Sequence, residues 1–167
     1  GTTEHMEALL EAKGLFPRMS FDEAVHDLGK NSRWVTFHEL GFRTITRQGE
    51  KEISQRHGVA GSSLWLTHFD DLSVPFYQAQ DPLSGKSLTA DLLLNGWETI
   101  GSGQRRDTSA QLRQALEERE VDPKCYQWYL EMKDSFPAET AGMGMGVERY
   151  LLWLLNHSDI RDLTLLY

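Results

Sequence analysis

The dipeptide Asn95-Gly96 stands between two runs of strand-forming residues, SLTADLLLNGWETIGSG over 87–103, and few features restrict the fold of this chain as much. Asn-Gly accepts left-handed backbone at both central positions of a two-residue turn, whose twist matches that of paired strands. With those residues as the loop, Leu94 pairs with Trp97, Leu93 with Glu98, Leu92 with Thr99 and Asp91 with Ile100. Partners across a ladder share a face, as do residues two apart along a strand. Asp91, Leu93 and Glu98 therefore point the same way, with the two acids on a diagonal of about 7 Å. Two carboxylates so placed flank one hard cation, or the magnesium of a nucleotide, through oxygen ligands; a surface hairpin with solvated acids is the plainer alternative.

A second stretch, AGMGMGVERYLLWLLNHSDIRD over 141–162, sets Gly142, Gly144 and Gly146 at period two. On a strand this clears one face and sends Met143 and Met145 to the other, where they are expected to pack in the core. Arg149 falls in the first turn of the next helix, placed to lay its guanidinium over whatever the bare face accommodates, as arginine does on aromatic planes. Neither GxxxxGK nor GxGxxG is present, so the ladder reads as a platform for a planar ring, or else as a flexible loop. The run Leu151–Leu155 implies a helix buried on most sides. Arg161 either braces the site or pairs with Asp159 or Asp162. Arg105 lies seven residues beyond Glu98, past a small-residue bend, and reaches the same cavity if the strand continues.

Elsewhere, Met6, Leu9 and Leu10 mark a helix over 4–13 stopped by Gly14. Ser20 and Glu23 have capping-box spacing for a second, closed by Gly29. RWVTFHELGF (33–42) fits strand or loop, and RQGEKEISQRHG (47–58) an exposed helix. SSLWLTHF (62–69) is strand-like, and the proline of DDLSVPFYQAQ (70–80) belongs at a sheet edge or strand start. Thr108 or Ser109 caps a helix to about Arg119, and Asp122-Pro123 opens another to about Lys133. A strand near 139–146 and a helix over 147–156 follow. The pattern is α+β, an antiparallel sheet flanked by helices, in a single domain over residues 1–167.

With 167 residues, 40% of them hydrophobic, the chain can bury one ordinary core. No apolar run approaches the roughly 18 residues of a membrane span and no secretory leader is visible, so a cytoplasmic protein without membrane contact is expected. Cys125 is the single cysteine, which excludes an internal disulfide and a cysteine metal cage. A formal charge of −8 disfavours binding to a polyanion over the whole surface. The GQRR cluster (103–106) is too small to argue otherwise and reads as a solvated surface pair.

GMGMGVERYLLWLLNHSDIRD resembles the third signature motif of class II aminoacyl-tRNA synthetases of the aspartyl and asparaginyl type. DLLLNGWETIGSGQRR is similar to the hairpin that precedes it there, VPFY to the segment before that, and VDPKCYQWYLEMKDSFP to the short helix between. The resemblance covers about residues 64–162. It implies an antiparallel sheet flanked by helices. It also implies ATP bound with Arg149 on the adenine and with Gly146, Val147 and Glu148 as the adjoining wall. Asp91 and Glu98 would hold Mg2+, and Arg105 would take the side-chain end of aspartate or asparagine. Arg149 and Glu98 would be the catalytic groups, and the protein a homodimer. Three features stand out: PAETAG, with Thr140 before Ala141, where asparaginyl enzymes carry a histidine after the proline; Gly101 as in asparaginyl rather than archaeal-type aspartyl enzymes; and an LTLLY ending. The first and second motifs and an anticodon-binding barrel are not found, so the chain is expected to be the C-terminal portion of a catalytic domain.

The resulting expectation is an ATP-dependent, AMP-forming ligase that activates aspartate or asparagine. It is either an aspartyl- or asparaginyl-tRNA synthetase or a tRNA-independent, asparagine synthetase-like paralogue. The acidic charge gives tRNA no support. The alternative is a non-catalytic nucleotide- or partner-binding module.

Overall fold

A computed structural model describes residues 3–13 and 15–163. It forms seven strands: β1 (Arg18–Ser20), β2 (Val35–Phe37), β3 (Arg43–Ile45), β4 (Leu64–Thr67), β5 (Thr89–Leu94), β6 (Trp97–Gln104) and β7 (Ala141–Met145). Its helices are α1 (Glu4–Glu11), α2 (Phe21–Leu28), α3 (Arg47–His57), α4 (Ser109–Glu117), α5 (Gln127–Ser135) and α6 (Val147–Leu154). β2 and β3 make a small antiparallel hairpin, and the other five form one sheet in the order β1-β4-β5-β6-β7. Only the β1–β4 pairing is parallel, so the α+β architecture expected from the sequence is the one formed.

Alternation along β5 divides the core. Leu93 joins Leu64 and Leu66 under α2 and α3, where Phe21, Val25 and Ile53 close the layer. Leu92 and Leu94 face the other way, with Ile100, Trp153 of α6 and Leu9 of α1. Each fully buried aliphatic side chain contributes roughly 1.5–3 kcal/mol of transfer free energy, so this division pins the register of β5. A third cluster joins Leu112, Ala115 and Leu116 of α4 to Leu130 of α5 and Phe76, beyond the open end of the hairpin.

Local signals act as expected at several ends. Ser20 and Glu23 close a complete capping box on α2, and Thr108 does the same with Gln111 on α4. α1 ends at Glu11, and its expected terminator Gly14 lies outside the described residues. Asn95 and Gly96 take φ of 50° and 70°, the left-handed turn that the dipeptide favours. Pro75 lies in a turn after a short 3-10 segment, Asp71–Ser73, rather than in a strand.

Four expectations are corrected. Pairing follows the two-residue turn only as far as Leu93 and Glu98; a bulge between Leu92 and Leu93 then sets Leu92 opposite Ile100 and Asp91 opposite Gly101. The bulge turns Ile100 into the apolar layer beside Leu92 and presents a glycine, instead of an isoleucine, to Asp91. Met143 and Met145 are not core but 65% and 45% exposed, on the edge strand of the sheet. α6 buries Leu152 and Trp153 and leaves Val147 and Glu148 exposed, with Leu155 just beyond it exposed too, so it is covered on one side rather than most. Arg106 is no surface residue: it is buried, with Nη2 donating to both Asp71 oxygens at 2.9 and 3.0 Å.

Candidate active site

The sheet face that carries Asp91 and Leu93 opens beyond the α2–α3 layer into a cavity of about 490 Å³. Its walls include Glu50, Tyr77, Asp91, Glu98, Arg105 and Gly144. The bulge at Thr99 places the two acids of the hairpin above one point. A Cβ built on Gly101 would stand 3.1 Å from Glu98 Oε1 and 3.6 Å from Asp91 Oδ1. The carboxylates therefore converge over bare backbone, and a side chain at 101 would crowd both.

A third acid, Glu50, comes from the fourth residue of α3. Thr46 caps that helix by accepting from the Gly49 N–H at 3.2 Å, and Gly49 is buried against Trp34 and Ile45, so the first turn lies close to the layer beneath it. Burial pushes the Glu50 carboxyl up to about 7, with the Glu98 charge adding to the effect. Burial likewise lifts Asp91 to about 7, and the charges of Glu98 and Glu50 reinforce it. Among the described residues, no hydrogen bond or ion pair engages these three carboxylates. Elsewhere charge is matched: Arg43 and Lys86 are each paired with both Asp22 and Asp70.

Arg105 continues the line of β6 as expected, its backbone N–H donating to Thr140 O at 2.7 Å. Its guanidinium bonds Gln78 Oε1 and lies 5.0 Å from the centroid of the Tyr77 ring. Nη2 stands 2.8 Å from where a Gly142 Cβ would be. At the other end of β7, the Arg149 stem covers Gly146, with Cδ 3.3 Å from the corresponding point, and Nη1 donates to the Glu98 carbonyl. Only Gly144 is left bare, with nothing within 4 Å of its missing Cβ. The glycine ladder thus offers an open floor one residue long between two guanidinium groups. No carboxylate lies within ion-pair distance of either group among the described residues.

The structure brings Asp91, Glu98 and Arg105 together on the cavity wall; Arg149 is tied to the Glu98 carbonyl, but neither it nor Gly146 is among the wall residues. Val147 and Glu148 are exposed and stand apart from that wall. Arg161 belongs to the surface, paired with Asp159. Sequence reasoning misses Glu50, Tyr77 and Gln78. The only signal for Glu50 is its place one turn after the Thr46 cap, for Tyr77 its place at the end of the VPFY segment, and for Gln78 its place just after it.

The donor set suits magnesium: carboxylate oxygens from Asp91 and Glu98, with no nitrogen or sulfur converging on them. No group of three ligating side chains is assembled among the described residues; an ion held by these two carboxylates would need waters or phosphate as its other ligands. No described helix is long and apolar enough to cross a membrane.

The family model "tRNA synthetases class II (D, K and N)" matches residues 1–166. An asparagine–tRNA ligase of Pyrococcus abyssi is 33% identical over 153 residues, covering 90% of this chain and 34% of that protein. Asparaginyl-tRNA synthetase from Pyrococcus horikoshii, complexed with asparaginyl-adenylate, superposes with a TM-score of 0.74 at 30% identity, over 92% of this chain and 35% of that one. The Entamoeba histolytica enzyme with asparaginyl-adenylate gives 0.77 at 24% identity, over 90% of this chain and 34% of that one, a likeness of fold. The chain spans about a third of the length of the curated relatives it matches.

Proposed function

Because this chain belongs to the class II tRNA synthetases of the D, K and N type, we propose that it forms the C-terminal portion of a catalytic domain that activates aspartate or asparagine with ATP. One observation carries the reading: three carboxylates and the Arg105 guanidinium, none of them in an ion pair among the described residues, line one glycine-floored cavity, and Arg149 is held beside it on the Glu98 carbonyl. A cavity lined by unpaired charges of both signs suits a ligand that also carries both, such as an amino acid beside a metal-bound triphosphate.

In this reading the adenine lies on Gly144 with the Arg149 guanidinium over it, and the substrate side chain meets Arg105. The amino-acid carboxylate oxygen forms a bond to the α-phosphorus, the bond from that phosphorus to the bridging oxygen breaks, and pyrophosphate leaves with the electron pair. Asp91 and Glu98 would hold Mg2+, which supplies charge neutralisation for the triphosphate. Positioning and electrostatics carry the rate, since no side chain forms a covalent bond. Gln78 and Tyr77 orient Arg105 without neutralising it, which keeps its charge available to the substrate. A cytoplasmic setting and a homodimer belong to the same proposal.

The test is pyrophosphate exchange by the full-length protein with aspartate and asparagine in turn. Exchange that depends on one of them supports activation, and its absence with every amino acid tried sinks the reading. A second arm separates the acceptors: added tRNA charged with the amino acid indicates a synthetase, and amide formed from ammonia without tRNA indicates a tRNA-independent ligase.

A further inference from the structure

Arg47 opens α3 and stacks on Trp97, its guanidinium carbon 3.0 Å from the ring centroid. Trp97 immediately precedes Glu98, whose carbonyl holds Arg149. Two arginines from different helices are therefore anchored on consecutive residues of β6. Glu50, one turn further along α3, lines the cavity, so the helix face that bears Arg47 is the face turned toward the site. Among the described residues neither Arg47 nor Arg149 forms an ion pair.

We propose that Arg47 is a triphosphate-binding arginine, which closes on the phosphates from α3 while Arg149 takes the base. The proposal rests on the nucleotide reading above. Stacking fixes the plane of the Arg47 guanidinium and leaves its edge N–H groups free, the arrangement in which arginine grips phosphate oxygens through a planar fork. Arg47 and Arg149 repel each other, with Glu50 as a nearby acid that bonds neither, so an anionic ligand between them adds an attraction to both. Burial lowers the Arg47 pKa, Glu50 opposes that, and the Arg149 charge adds to the lowering. The first turn of α3 adds a favourable helix-dipole field at the same end.

The experiment is calorimetric titration of the full-length protein and its Arg47→Ala and Arg47→Gln variants with magnesium-ATP, AMP and adenosine. Arg47 is exposed at the start of its helix, and thermal unfolding of each variant checks that the fold is kept. We expect both substitutions to weaken ATP about tenfold or more while adenosine changes less than twofold and AMP falls between. Unchanged ATP affinity, or equal losses for ATP and adenosine, overturns the role of Arg47 and leaves the nucleotide site standing. Failure of the unsubstituted protein to bind ATP or adenosine overturns the site itself, and this inference with it.

Discussion

Gly101 and Gly144 stand directly opposite each other in the β6–β7 ladder, and at that rung neither strand puts a side chain over the cavity. The same gap holds the acids on one side and leaves a floor on the other. Two of the strongest features of the sequence, the hairpin and the glycine ladder, meet there.

Gly144→Val separates ligand space from folding space. A Cβ at 144 meets nothing within 4 Å, and valine suits an edge strand, so the unfolding midpoint should stay within about 2 °C. Nucleotide affinity should fall at least about tenfold, because the branched side chain occupies the floor. Gly103→Ala is the contrasting change: its Cβ falls 2.5 Å from Gln78 Oε1 and 2.8 Å from Thr89 Cγ2, and should cost about 1–3 kcal/mol by overpacking. Thermal melts and ATP titrations of the two variants give the comparison. A Gly144→Val protein that binds ATP normally would remove the platform.

Acidity should stabilise the protein when no metal is added. Asp91 and Glu50 are raised to about 7 in the fold, above the ordinary carboxylate range they regain on unfolding. The folded state therefore binds more protons than the unfolded one, so stability is fullest near pH 4–5 and declines as pH rises through about 7. Asp70 opposes this only at lower pH: burial alone would raise it, but hydrogen bonds from Arg43 and Lys86 hold it at about 2. Between pH 5.5 and 8 the unfolding midpoint should fall by about 5 °C. Asp91→Asn should flatten that slope, and a midpoint that rises over the same range would contradict the acid cluster.

Asp71 should be the costliest single charge to remove. It is buried, accepts from Arg106 Nη2 on both oxygens, and also pairs with Arg119 Nη2 at 3.0 Å. Asp71→Ala strands the buried Arg106 and should cost about 3–5 kcal/mol in chemical denaturation. Arg106 also donates through Nε to Phe76 O at 2.9 Å, so the damage should reach Tyr77 and Gln78 and weaken amino-acid binding. A loss below about 1 kcal/mol would mean that this network is only ornamental.

Sequence is most legible where an interaction spans a few residues. The Ser20–Glu23 box, the Thr108 cap and the Asn95-Gly96 turn each act within four positions, and each forms as the residues indicate. The bulge at Thr99 leaves no local mark, since it answers to which layer must receive Ile100. Alternation separates glycine from methionine on β7, but whether a face is covered depends on elements elsewhere in the chain, and Met143 on the edge strand is left 65% exposed. Arg106 depends on Asp71, 35 residues away, and β1 on β4, whose partner residues lie 47 apart. Of the site, Asp91, Glu98 and Arg105 were legible because one hairpin and its extension carry them, whereas Glu50 arrives from a separate helix.

Arg105 and Arg149 should fail differently when removed, because they stand at opposite ends of β7. Arg149 covers Gly146 and is tied to the Glu98 carbonyl; Arg105 lies over Gly142 and is tied to Gln78. Gly144 separates them, so a ligand that spans the floor meets one guanidinium at each end. Arg149→Ala should therefore weaken ATP about tenfold or more and leave the amino-acid requirement nearly unchanged. Arg105→Ala should raise the amino-acid concentration needed for half-maximal exchange by about 10- to 100-fold with ATP affinity little altered. Exchange assays that vary one substrate at a time read the split directly. Equal losses in ATP affinity from both changes would mean that the two arginines grip one ligand group, and the role assigned to Arg105 would fall.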